Sequence, residues 1–136
     1  MIYFLILICA ALSLVIGFVW YGPLFGKLWL KVIKADDLTL QARAEMQKKA
    51  KPLYVVQFLM TLVQVAVLAT LIKGLSGIQA VNYALLIWLG FVVPILAGSA
   101  LWNNDSKEIA RTRFLIQAGY QLVLFVIFAL ILGFLA

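Results

Sequence analysis

Four stretches of this chain carry no charged side chain: residues 1–26, 52–72, 74–104 and 114–136. A hydrocarbon layer roughly 30 Å thick is crossed by about 20 apolar residues of helix rising 1.5 Å each, so every stretch is long enough to span it. The pattern predicts an all-α, polytopic membrane protein, with spans at about 2–21, 53–72, 81–101 and 114–135 in a single domain, 1–136. Composition agrees. Hydrophobic residues make up 66% of the chain and mean hydropathy is +1.12, whereas soluble domains are about half apolar and a quarter charged.

Lipid tails are as apolar as leucine, so hydrophobic collapse cannot hold such a bundle together; close packing and interhelical hydrogen bonds carry more of the burden. Small residues and uncharged polar residues inside the spans are therefore the informative ones.

The net charge of +6 reads as topology rather than as affinity for nucleic acid. Lys27, Lys31, Lys34, Arg43, Lys48, Lys49 and Lys51 lie between the first two spans, against Asp36, Asp37 and Glu45. Lys107, Arg111 and Arg113 lie between the last two, while the turn after the second span holds only Lys73. Basic residues favour the cytoplasmic side, which predicts an inner-membrane protein with connection 22–52 in the cytoplasm and both termini outside. This asymmetry argues against dual topology. No basic residue precedes the first apolar run, which is too long for a signal-peptide core and is expected to be retained. Cys9, the single cysteine, follows Ile8 rather than a small residue, so it lacks a lipoprotein-type processing site and has no disulfide partner.

Trp20 and Tyr21 suit the headgroup level, and Gly22–Pro23 is expected to end the first helix. From Leu24 to Lys34, Lys27, Lys31 and Lys34 share one side while Phe25, Leu28, Trp29, Val32 and Ile33 occupy the other. The spacing predicts an amphipathic interfacial helix over about 24–34, with lysines at lipid headgroups and aromatic side chains in the acyl boundary. Residues 38–51 are good helix formers, and Pro52 suits the first position of the second span. Gly74, Ser76 and Gly77 mark a turn. Pro94 deprives the Gly90 carbonyl of its usual donor and predicts a kink in the third span. No internal repeat is apparent.

One stripe is small: Cys9, Ser13 and Gly17 at i+4 steps, with Gly90 and Gly98 flanking Pro94. It reads as a helix-packing surface, the alternative being a gating hinge at Pro94. A second stripe is polar: Gln57, Thr61 and Gln64 on one face of the second span, Gln117 and Gln121 on one face of the fourth, and Ser99 at similar depth on the third. Unpaired amides in hydrocarbon cost about 1–3 kcal/mol each, so these side chains are expected to point inward and meet. They serve either as interhelical glue or as the wall of a vestibule offering donors and acceptors to a small polar solute.

The spans contain no Asp, Glu, Lys, Arg or His, leaving no intramembrane proton relay or counter-ion. With no histidine and one cysteine, haem and transition-metal sites lack their usual ligands, and no metal or cofactor is expected. A nucleophilic serine or cysteine has no plausible base, so an enzyme is the least supported class. Asp36/Asp37 and Asp105/Glu108 read as caps rather than Mg²⁺ or Ca²⁺ ligands, and Trp102–Asp105 as a belt residue followed by a turn.

The run WYGPLFGKLW, Trp20 to Trp29, resembles the signature of an uncharacterised family of small bacterial integral-membrane proteins with about four spans. WLGFVVP, Trp88 to Pro94, and IQAGYQL, Ile116 to Leu122, are similar to that family's second half. The resemblance implies membrane location and a shared fold, and supplies no activity or catalytic residue. The membrane glutamate of small drug exporters and the glycine- and arginine-rich first span of fluoride channels are both missing. Two functions are expected to compete: a non-enzymatic, lipid-interacting scaffold assembling as a homodimer or other homo-oligomer, and a passive channel or carrier for a small polar solute.

Overall fold

The computed structural model describes residues 1–136. Helix α1 covers Ile2–Val19 and runs into a π-helical turn at Trp20–Leu24; a short α2, Gly26–Val32, follows. Helix α3 covers Leu40–Leu71. The third rod is α4 (Gly77–Ile87), a second π-helical turn (Trp88–Val92) and α5 (Val93–Leu101), and α6 covers Lys107–Leu135. There are no strands. Four rods, Ile2–Leu24, Leu40–Leu71, Gly77–Leu101 and Lys107–Leu135, are long and apolar enough to cross a membrane, and the chain is a multi-pass membrane protein.

Helix starts follow local chemistry. Thr39 Oγ1 accepts from the Ala42 N–H at 3.1 Å and Ser106 Oγ from the Ile109 N–H at 3.3 Å. Ser76 and Gln79 form a capping box at α4. Each satisfies donors that a helix N-terminus leaves open.

Three sequence expectations are corrected. Pro52 is not a first helical position: α3 is already helical from Leu40 and passes through the proline. This position lies in the charged segment, where water can satisfy the carbonyl freed by the missing N–H. Gly22–Pro23 does not stop the first rod either, because the helix widens instead, with the Phe25 N–H reaching the Trp20 carbonyl five residues back at 3.0 Å. Widening recurs before Pro94, where Val93 donates to Trp88. The first π turn contains a proline and the second is followed by one, whose ring cannot approach the carbonyl four residues back, and both turns open on a Trp-x-Gly triplet. The apolar side of α2, finally, is not given wholly to an acyl boundary. Val32 is buried, Phe25 packs on Trp20 with ring centroids 4.8 Å apart, and Trp29 meets Tyr21 edge-on at 4.7 Å. Lys34 is not on the helical stripe: it adopts φ +59° just beyond α2, with Ala35 N–H bonded to the Leu30 carbonyl and Lys34 N–H to that of Lys31. That is a Schellman closure with lysine where glycine is usual.

Helix α6 is the hub, packing against α1, α2, α3, α4 and α5. The tightest seam joins α4 and α6, where a Cβ added to Gly133 would stand 2.9 Å from Ala80 Cβ and 3.1 Å from Gly77 Cα. Ala80, Ala84 and Ala129 are completely buried there. Cys9 and Ser13 are buried on α1, and a Cβ on Gly17 would meet the Tyr120 hydroxyl at 3.0 Å. Gly90 and Gly98, by contrast, have nothing within 4 Å of an added Cβ, so they do not pack within the chain.

Packing divides the bundle into two halves. Leu5, Cys9, Val65, Leu68, Leu124, Phe125 and Phe128 belong to one apolar core, in the half carrying Met1, the Lys73–Ser76 turn and Ala136. In the other half, which carries the lysines of the 22–52 segment, the helices part around a cavity.

Candidate functional site

This cavity has a volume of about 810 Å³. Its walls come from the end of α1 and its π turn, α2, the first half of α3, Leu96 of α5, and α6. Gln47, Tyr54 and Gln57 stand at an exposed rim, and Gln117, Tyr120 and Gln121 are half-buried on the α6 side. No lining residue is charged. The surface therefore offers amide and phenol donors and acceptors without a fixed charge.

Hydrogen bonds from aromatic side chains hold this wall in place. Trp20 Nε1–H donates to the Ile116 carbonyl at 2.9 Å, and Trp88 Nε1–H to the Ala118 carbonyl at 3.0 Å. Tyr120 Oη–H donates to the Ser13 carbonyl at 2.8 Å, and its ring meets Tyr21 edge-on at 5.4 Å. Trp20 and Trp88 each begin a π turn, so the widened turns deliver two indoles to carbonyls only two residues apart on α6. An indole N–H removed from water needs such an acceptor. Gly119 lies between these contacts; a Cβ there would stand 3.0 Å from Trp20.

At the boundary between cavity and core, Gln64 Nε2 donates to Gln121 Oε1 at 2.9 Å, linking α3 to α6. Thr61 is buried and bonds back to the Gln57 carbonyl at 2.9 Å, while Gln57 Nε2 reaches Thr61 Oγ1 only at 3.4 Å. Gln117 makes no hydrogen bond with its side chain. The structure thus brings Gln57, Gln117 and Gln121 to one cavity and pairs Gln121 with Gln64. Ser99 is exposed on α5 and does not join them. Gln47, Tyr54, Tyr21 and Tyr120 are not singled out for this wall by the sequence: Tyr21 reads as a belt residue, Gln47 sits in a charged segment, and no pattern sets Tyr54 or Tyr120 apart.

One acidic residue at the basic end is engaged structurally. Asp105, its side chain only 4% exposed, pairs with Arg113 at 3.3 Å, and Arg113 Nη2 also donates to the Val32 carbonyl at 3.2 Å. This clamp ties the end of α2 to the start of α6. Lys27 and Lys31 are exposed and outside the cavity wall.

Fold and cavity define a four-span helical membrane protein with an uncharged polar vestibule at its basic end. The chain belongs to the family described as Protein of unknown function (DUF1761), whose model matches residues 4–133. No curated protein and no solved structure matches it.

Proposed function

We propose that this is a non-enzymatic protein of the bacterial inner membrane whose vestibule opens to the cytoplasm and receives an uncharged polar group. The observation that carries this reading is the unpaired amide of Gln117 beside Gln121 and Tyr120, in a cavity of about 810 Å³ with no charged lining residue. Gln117 is only half-buried and its amide has no partner within the protein, so its donor and its acceptor are both free to bond a ligand or water. The basic residues around the opening support a cytoplasmic orientation. Binding is favoured over conduction because Leu68, Leu124, Phe125 and Phe128 fill the bundle beyond the Gln64–Gln121 bond.

Cysteine labelling tests this directly. In sealed inside-out vesicles, a membrane-impermeant maleimide should modify Gln117→Cys from the cytoplasmic side while leaving buried Cys9 untouched. A small uncharged polyol should slow that modification, and acetate should not. A Gln117→Cys thiol as inert as Cys9, or one modified only from the opposite side, overturns the reading.

A further inference from the structure

The vestibule has a neighbour beyond Gln121. Leu96 and Gln121 also line a second, apolar cleft of about 430 Å³, walled by α3 and the α4–α5 rod and floored by α6. At its base Phe125 of α6 and Leu68 of α3 are buried, whereas its walls at Val67, Leu71, Phe91 and Ile95 are more than half exposed, so the cleft opens sideways. In a spanning bundle, sideways means toward lipid.

We propose that vestibule and cleft together bind one single-chain lipid with an uncharged, hydroxyl-bearing head: the head lies among Gln57, Gln117 and Gln121, and the chain runs along the cleft. The assignment rests on the reading of the vestibule as a site for an uncharged polar group and names the class of molecule. Polarity is its first support. The cavity at the basic end is lined by amides and phenols, and the cleft beyond Gln121 is apolar but for Gln64 and Gln121 at its mouth. An amphiphile entering from that side has the same order, its head at the basic end and its chain directed past Gln64 toward Leu71, the last residue of α3. Size is the second. The cleft follows α3 from Gln64 to Leu71, about 10 Å of helix rise, as a single channel suited to one chain. Charge is the third. A phosphate or carboxylate drawn into these walls would lose water without meeting a cation, because neither cavity has a basic residue in its lining.

The test uses the full chain in nanodiscs of phosphatidylethanolamine and phosphatidylglycerol, with a monoacylglycerol carrying a diazirine at the end of its chain. Photolysis should place at least fivefold more adduct on Val67, Leu71, Phe91 and Ile95 than on exposed Phe4 and Leu115 outside the cleft. Unlabelled monoacylglycerol should compete, and lysophosphatidylglycerol should not. Ile95→Trp, which fills the cleft and leaves the amides untouched, should remove the enrichment; Gln121→Leu should reduce it about fivefold in protein that still elutes as a folded species. Adducts scattered evenly over the lipid-facing surface overturn the proposal, and equal competition by the anionic lysolipid overturns the uncharged head. If adducts scatter while polyol still protects Gln117→Cys, the lipid assignment fails and the vestibule stands; if Gln117→Cys is also inert, both fail.

Discussion

Gln64 of α3 donates to Gln121 of α6 at 2.9 Å, the one amide-to-amide bond between helices, at the level where the dry core gives way to the vestibule. Helix α3 otherwise leans on α1, so this bond is a principal polar tie between α3 and the hub. A double-mutant cycle with Gln64→Leu and Gln121→Leu should give a coupling of about 0.6–1.7 kcal/mol, between the average and the maximum for interhelical hydrogen bonds in membranes. Reversible unfolding in mixed micelles measures it; additive single substitutions would show that the bond contributes nothing.

The indoles of Trp20 and Trp88 should behave alike despite lying on different rods. Each donates to a carbonyl of α6, at Ile116 and Ala118. Trp→Phe keeps a ring and removes the donor, so each substitution should cost about 1 kcal/mol for the bond, plus a packing term from the smaller ring. Thermal unfolding of the two variants checks this. A cost at Trp20 but none at Trp88 would mean that the second π turn does not depend on its indole contact.

A glycine in a packed seam and one facing open space should respond differently to an added methyl. A Cβ at Gly133 would press on Ala80 Cβ at 2.9 Å and Gly77 Cα at 3.1 Å, so α4 and α6 would have to separate; Gly133→Ala should destabilise by about 1–3 kcal/mol. Gly98 has open space, and Gly98→Ala should be neutral or stabilise by up to about 1 kcal/mol by restricting the unfolded chain. Thermal midpoints in one detergent decide the comparison.

These contrasts show which features sequence can carry. Four spans are legible because hydrocarbon excludes charge, and the interruptions at Lys27–Lys51, Lys73 and Asp105–Arg113 are plain in the residue string. The i+4 spacing of Gln117 and Gln121 places them on one side of α6, which is why both reach the same cavity. Helix continuity is less legible. Pro23, Pro52 and Pro94 look alike as local breakers, yet one lies in a π turn, one inside an unbroken α-helix and one just after a π turn. The outcome depends on surroundings: water near Pro52, and carbonyls of α6 that accept the indoles beside the other two. The packing seam of Gly77, Ala80, Ala84, Ala129 and Gly133 is hidden for a related reason, since alanine and glycine are common throughout apolar helices and only a partner helix distinguishes the packed ones.

The left-handed turn at Lys34 supplies a stability test outside the apolar spans. Its φ of +59° places Cβ near the following carbonyl, at a cost of roughly 1–2 kcal/mol for a residue other than glycine, asparagine or aspartate. The turn is nevertheless fixed, because Ala35 N–H closes on the Leu30 carbonyl at 2.7 Å and Ala35 itself is buried. Lys34→Gly should relieve the strain, offset in part by the greater entropy of glycine in the unfolded chain, for a net gain of about 0.5–1 kcal/mol. Lys34→Val, with a β-branched side chain at the same φ, should lose stability instead. Hydrogen exchange of the Ala35 amide, read together with the thermal midpoint, separates the two variants: protection should rise in Lys34→Gly and fall in Lys34→Val, and the opposite order would show that the turn is not held by this closure.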